Sequence, residues 1–258
     1  MHKVIFAADL DNTLLYSYKH RRPGDICIEY IKGKEQGYMP ASVYEMLGGI
    51  AKRATIIPVT TRSVDQYNRI NWPAQAEPKM AAVANGSILL GDPELNQRWE
   101  ENVEASLSEL ERMRDILAVS TEYIRCRIVD KKYLFVYCAQ GIDPLLKSAA
   151  IQALTTLKVT ASGKKIYLFP PGVDKGTATL KIRRFLEPAL LISAGDSDID
   201  LPMLNQADIA LVPNAALAAR LDGPRQVLVC PQGQSFLEFT VERVNSLVAL
   251  HTVPAQIG

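Results

Sequence analysis

The chain is poor in cysteine, and no two of its cysteines are spaced to work together. Four are present, Cys27, Cys126, Cys138 and Cys230, with no Cys-x-x-Cys pair among them. That scatter excludes a disulfide framework and a zinc site of the usual spacing. It suits buried thiols in a reducing compartment. An excess of charge is missing too: 29 Lys and Arg stand against 28 Asp and Glu, a formal net charge of +1. Basic doublets occur at Arg21-Arg22, Lys131-Lys132, Lys164-Lys165 and Arg183-Arg184, but none grows into a polybasic run. No bulk electrostatic argument therefore favours nucleic acid or an anionic membrane. Long apolar runs are absent as well. The first run, from Lys3, is cut short by Asp9 and is too brief for a signal-peptide core. Nothing approaches the roughly 20 apolar residues of a membrane span. The expectation is a cytoplasmic protein, in which the sequon Asn85-Gly86-Ser87 is simply a turn. Its 48% hydrophobic and 22% charged residues are ordinary for a globular chain, and 258 residues allow one large domain or two modest ones.

Three apolar runs end in polar clusters. Lys3 to Ala8 stops at Asp9-Leu10-Asp11-Asn12-Thr13, Ala54 to Val59 at Thr60-Thr61-Arg62-Ser63, and Ala189 to Ala194 at Gly195-Asp196-Ser197-Asp198. Ala207 to Val212 and Gln226 to Val229 read as further short strands, and Ala41 to Lys52 has helical spacing. Uninterrupted apolar strands separated by helices predict a parallel sheet covered on both faces. Ligands of such sheets bind beyond the carboxyl ends of the strands, where these polar clusters fall.

The middle of the chain reads differently. A charged helix is predicted from Pro93 to about Ala118, with Leu95, Val103, Leu107, Leu110, Met113 and Leu117 as its apolar positions. Strands follow at Glu122 to Val129 and Lys132 to Cys138, then a helix at Asp143 to Thr156, then strands at Lys158 to Ala161 and Lys165 to Phe169. Helix-strand-strand written twice predicts a small α+β unit with an antiparallel sheet. It is inserted at residues 92–169 between two halves of an α/β core, 1–91 and 170–258. Gly91-Asp92-Pro93 and Pro170-Pro171-Gly172 are plausible hinges. Tyr16 to Met39 fits either a hairpin or an ordered flap beside the first polar cluster.

Asp9 and Asp11 stand two residues apart at a strand end. Phosphoryl transfer needs a nucleophile, an acid for the leaving group and a cation against the phosphate oxygens. Asp9 can attack phosphorus while its second oxygen binds Mg²⁺. Asp11 can protonate the leaving alkoxide and then take a proton from water. Taken alone, Asp-Asn-Thr also forms an Asx turn or a helix cap. Thr60 can hold a phosphoryl oxygen, though a threonine before a helix is by itself more often an N-cap. Arg62 can hold an anionic substrate or sit in solvent. Lys175 opens a helix, a poor place for a cation unless an anion lies against it. Asp196, Asp198 and Asp200 fall in five positions after a buried strand. Mg²⁺ takes oxygen ligands, so Asp196 is the expected direct ligand, Asp200 an outer partner orienting waters or Lys175, and Asp198 an exposed acid. The spacing does not fit an EF-hand.

Together these residues resemble the haloacid-dehalogenase superfamily. Asp9-Leu10-Asp11-Asn12-Thr13 matches its first motif, Thr60 its second, Lys175 its third and Gly195-Asp196 through Asp200 its fourth, all in family order. The insertion resembles the αββαββ cap of Cof-like sugar phosphatases, and Ala84-Asn85-Gly86-Ser87-Ile88 the Asn-Gly turn before it. The resemblance implies a Rossmann-like core and a Mg²⁺-dependent phosphatase acting on a small phosphorylated metabolite such as a sugar phosphate. It implies Asp9, Asp11 and Asp196 at the metal, Asp11 through its backbone carbonyl. Thr60, Thr61, Arg62, Asn85 and Lys175 fall at the phosphate or substrate. Arg125, Arg127, Lys131 or Lys164 of the cap would face the leaving group. Thr61 departs from the usual glycine, and Ile199 from the usual asparagine. A phosphomutase of the phosphomannomutase type, or a catalytically silent regulatory protein, shares the layout.

Overall fold

The computed structural model describes residues 3–93, 96, 99 and 106–252. Its first strand, β1 (Val4–Ala8), is buried along its whole length, the physical reason its sequence does not alternate. Three strands follow, β2 (Tyr16–Ser17), β3 (Ile26–Ile31) and β4 (Lys34–Met39), then helix α1 (Ala41–Ala51) and strand β5 (Thr55–Pro58). A one-turn helix, α2 (Val64–Tyr67), leads to the short hairpin of β6 (Ala81–Val83) and β7 (Ile88–Leu90). Next come α3 (Leu107–Ala118), β8 (Tyr123–Val129), β9 (Tyr133–Cys138), α4 (Pro144–Gln152), β10 (Lys158–Ser162) and β11 (Lys165–Phe169). The chain continues through α5 (Lys175–Leu186), β12 (Leu190–Ala194), α6 (Leu201–Leu204) and β13 (Ile209–Val212). It closes with α7 (Ala215–Ala218), β14 (Gln226–Val229) and α8 (Phe236–Thr252).

The α/β core is a five-stranded sheet in the order β14-β13-β12-β1-β5, with every pair parallel. Register does the work of assembly. Ala8 lies level with Ala194 on one side and Pro58 on the other, so the chain leaves three strands at one height. The Asp9 amide donates to the Ala194 carbonyl at 2.9 Å, and Val59 to Ala8 at 2.8 Å. Three polar clusters far apart in sequence therefore converge at one sheet edge.

The inserted segment forms a second sheet, β10-β11-β9-β8, antiparallel throughout. Strand side chains alternate between faces. Leu134, Val136, Ile166 and Leu168 point to one face and pack on Leu110, Met113 and Leu117 of α3 and Ile151 of α4. Burying one such side chain is worth about 1.5–3 kcal/mol, which sets the register. The other face carries Arg125, Arg127, Tyr133, Phe135, Lys165 and Tyr167, and it lies over the carboxyl end of the parallel sheet. Tyr133 Oη donates to the Thr61 carbonyl at 2.5 Å. The Val64 amide donates to Asp130 at the β8–β9 turn, at 2.8 Å. Of the apolar positions predicted for the first inserted helix, Leu110, Met113 and Leu117 are buried on α3, whereas Leu95 and Val103 fall outside the described residues.

Tyr16 to Met39 is a hairpin extended to three strands, in the order β2-β4-β3. Its turn residues Lys32 and Gly33 both have positive φ, 51° and 76°, as a two-residue hairpin turn of right-handed strands requires. A β-bulge around Glu29 turns that side chain inward.

Candidate active site

Asp9 follows β1 and Lys175 is the first residue of α5; they meet across the chain, with Nζ 2.5 Å from Asp9 Oδ1. The same ammonium lies 2.6 Å from Asp200 Oδ1. All three side chains are nearly or wholly buried. The other oxygen of Asp200 accepts from the Asp196 amide at 3.0 Å, the Ser197 amide at 3.0 Å and the Ser197 hydroxyl at 3.1 Å. Asp200 is thus fully engaged in holding Lys175 and the loop that carries Asp196. Gly195 is required at that loop: a Cβ there would stand 2.4 Å from the Asp200 Cβ.

Carboxylate oxygens of Asp9, Asp196 and Asp200 lie within 4.8 Å of one another. One ammonium cannot neutralise three carboxylates, and the electrostatics show the surplus. Burial pushes the Asp9 carboxyl up to about 8 against the opposing pull of Lys175. Burial and then Asp200 push Asp196 up to about 6. Lys175 is disfavoured by burial, but Asp200 and Asp9 outweigh that and raise it. A buried surplus of carboxylate is a setting that a hard divalent cation relieves. With both Asp200 oxygens taken, Asp9 and Asp196 are the side chains free to hold one.

Asp11 points the other way. Arg62 clamps it through two bonds, Nη2 to Oδ1 at 2.8 Å and Nε to Oδ2 at 3.0 Å. Burial raises the Asp11 carboxyl, but the adjoining guanidinium outweighs it and holds Asp11 below the usual range. Arg62 also donates to Glu29 at 3.0 Å, and Arg69 reaches the other Glu29 oxygen at 3.1 Å. Gly37 on β4 leaves room for Glu29, since a Cβ there would come within 3.0 Å of it. Nothing in the sequence pointed to Glu29 or Arg69. Their part depends on the bulge in β3, which has no local sequence signature beyond a buried-side acid.

A cavity of about 90 Å³ lies over Asp9, lined also by Asp11, Asn12, Thr61, Lys175, Asp196 and Ile199, with Ser162, Lys165 and Tyr167 from the inserted sheet. Asn12 donates to Asp196 at 3.3 Å. Thr61, Lys175 and Asp196 thus line one cavity with Asp9. Thr60 and Asn85 stand one layer back. Thr60 is buried, its hydroxyl accepts from the Arg62 amide at 3.1 Å, and its carbonyl accepts from the Asn85 amide at 2.8 Å. Arg62, expected at a substrate, is committed to Asp11 and Glu29 in this state. Asp198 is exposed and paired with Arg220. Lys165 lines the cavity where Lys164 was expected, a shift of one residue along a hairpin.

No family model matches the chain. A phosphoglycolate phosphatase of Pyrobaculum islandicum is 37% identical over 116 residues, 44% of this chain and 48% of that protein. One of Methanoculleus marisnigri is 31% identical over 120 residues, 45% of this chain and 51% of that protein. The matches span about half the length of these curated relatives. Among solved structures, the sucrose-phosphatase of Synechocystis superimposes with a TM-score of 0.66 at 15% identity, covering 96% of this chain and 99% of that one. A trehalose-6-phosphate phosphatase related protein gives 0.57 at 17% identity, covering 96% and 98%. A phosphatase of the haloalkanoate superfamily from Bacteroides thetaiotaomicron gives 0.54 at 14% identity, covering 95% of each. The parallel core with its antiparallel cap-like sheet is the fold that this chain shares with these solved phosphatase structures.

Proposed function

We propose that the chain is a Mg²⁺-dependent phosphate monoester hydrolase that works through an aspartyl-phosphate on Asp9. The observation that carries this reading is the cluster of buried Asp9, Lys175 and Asp200 with half-buried Asp196, beneath a cavity of about 90 Å³ with Asp11 at its wall. Asp9, Asp196 and the Asp11 carbonyl would hold Mg²⁺. Bound there, the cation would offset the charge of the phosphoryl oxygens and of the carboxylates themselves.

An Asp9 carboxylate oxygen attacks phosphorus as the bond from phosphorus to the ester oxygen breaks. Asp11 gives its proton to that departing oxygen. Water then attacks the phosphorus of the acyl phosphate, Asp11 takes its proton, and inorganic phosphate leaves with Asp9 regenerated. Lys175 holds the Asp9 carboxylate in place and stabilises the charge on the transferring group. Arg62 must release Asp11 for the acid step, and Glu29 keeps the guanidinium in place as it does so. Residues 92–169 act as a cap over a core of 1–91 and 170–258, excluding water from the acyl phosphate. The substrate is a small phosphorylated metabolite, with sugar phosphates and phosphoglycolate as the first to assay, since the similar proteins named above carry those names. Free cysteines throughout accord with work in the cytoplasm.

The test is acid-quenched mass spectrometry during turnover of p-nitrophenyl phosphate with Mg²⁺. The expected result is a phosphoryl adduct on Asp9, and an Asp9→Asn variant that stays folded but loses more than about a hundredfold in rate. Undiminished turnover by that variant would refute the mechanism.

A further inference from the structure

Beside the Asp9 cavity lies a second one, of about 290 Å³, and the two share Asp11, Thr61, Lys165 and Tyr167 along their walls. Asp11 protonates the departing oxygen in the mechanism above, so the leaving group lies on the Asp11 side, in this second cavity. We infer that the cavity recognises a leaving group carrying its own anion, a carboxylate or a second phosphate, through Arg125, Arg127 and Lys165. This inference rests on the phosphatase reading and adds the substrate class to it.

Charged donors outnumber charged acceptors in this cavity. Five cationic side chains line the cavity, Arg62, Arg69, Arg125, Arg127 and Lys165, against two carboxylates, Asp11 and Glu29. Both carboxylates are consumed by Arg62 and Arg69. Among the described residues, Arg125, Arg127 and Lys165 have no carboxylate within ion-pair distance, and all three are exposed to the cavity side of the sheet. Of the uncharged polar groups, the Tyr133 hydroxyl donates to Thr61 and the Gln66 side-chain oxygen accepts from Ser63, which leaves the Thr61 and Tyr167 hydroxyls and the Gln66 amide nitrogen on the wall. What sets the cavity apart is therefore its surplus of charged donors over acceptors. Sugar hydroxyls both donate and accept and are read by mixed partners, whereas a carboxylate or phosphate only accepts.

The sheet places these donors in rows. Arg127 pairs across β9 with Phe135, which pairs with Tyr167 on β11. One step along, Arg125 pairs with Tyr137, which pairs with Lys165. Strand pairing keeps the three cations on one face and leaves Phe135 and Tyr167, 5.7 Å apart between ring centroids, as an apolar floor for the carbon skeleton. Arg125, Arg127 and Lys165 share one face without an ion-pair partner of their own among the described residues, and an anion bound there offsets their mutual repulsion.

The experiment compares matched esters that differ by one anion: phosphoglycerate against glycerol phosphate, and fructose bisphosphate against fructose phosphate. Steady-state kcat/KM is measured for the wild type and for Arg125→Gln/Arg127→Gln, with circular dichroism to establish folding. Calorimetry on Mg²⁺-loaded Asp9→Asn reads binding without turnover. The wild type should favour the anionic member of at least one pair by about tenfold or more, through KM, as expected for charge-assisted bonds. Which pair responds identifies the anion. In the double variant the ratio should fall to near one, and Arg127→Glu should shift preference toward an amine such as glucosamine phosphate over glucose phosphate. Equal kcat/KM within both pairs for the wild type, or a ratio that survives in the double variant, overturns the inference. If neither ester is hydrolysed while the anionic one still binds more tightly through the arginines, the phosphatase reading fails and the recognition site stands.

Discussion

Replacing Asp200 with Asn removes one charge from the buried centre and changes almost no volume. Asp200 accepts four bonds, from Lys175, the amides of Asp196 and Ser197, and the Ser197 hydroxyl. An Asn carbonyl oxygen can keep the Ser197 and Asp196 donors, but its amide nitrogen then faces the Lys175 ammonium at a distance of 2.6 Å in the wild type. The lysine must move, and among the described residues its other anion is Asp9. Breaking a buried ion pair by removing one partner costs about 3–5 kcal/mol. The retained backbone bonds and the remaining Asp9 contact place this case at the lower end, about 3 kcal/mol. For a domain of this size that corresponds to a thermal midpoint lower by roughly 6–12 °C. Urea and thermal unfolding at neutral pH measure it. Asp198→Asn is the internal control, because Asp198 is half-exposed and pairs with Arg220 at the surface, where such pairs contribute little. A loss below about 1 kcal/mol for Asp200→Asn, or equal losses for the two variants, would refute the claim that Asp200 anchors the centre.

Two further outcomes follow from the same geometry. Asp11→Ala should leave Mg²⁺ affinity nearly unchanged in calorimetric titration, since its proposed metal contact is a backbone carbonyl, whereas Asp196→Ala should lower it at least about tenfold; equal losses would reverse those assignments. Asp130→Ala removes the side chain that accepts from the Val64 amide and should loosen the seating of the inserted sheet, read as faster amide exchange at Val64 and along β8–β9; unchanged exchange at both would mean that this contact does not hold the cap.

Local and long-range determinants of this fold divide along a physical line. Local sequence was enough for β1, β5 and β12, because a strand buried on both faces is mostly apolar and its end is marked by a polar cluster. It was enough for Asp9, Asp196 and Lys175 as a set, because acids at strand ends and a lysine at a helix start are costly choices unless they meet. The order helix-strand-strand, written twice, likewise pointed to the inserted antiparallel sheet. What residue spacing could not supply was pairing across distance. Arg62 read as a substrate ligand or a solvated arginine until β3, with its bulge, brought Glu29 against it and the β1 loop brought Asp11. Lys165 rather than Lys164 reached the cavity because a one-residue step reverses the face of a strand. The three-residue strands β6 and β7 carry too few positions for any period to show. Charge type and apolar period are properties of a segment, and the sequence by itself determined them; the identity of each charge's partner is a property of register and sheet order, and only the tertiary structure decided it.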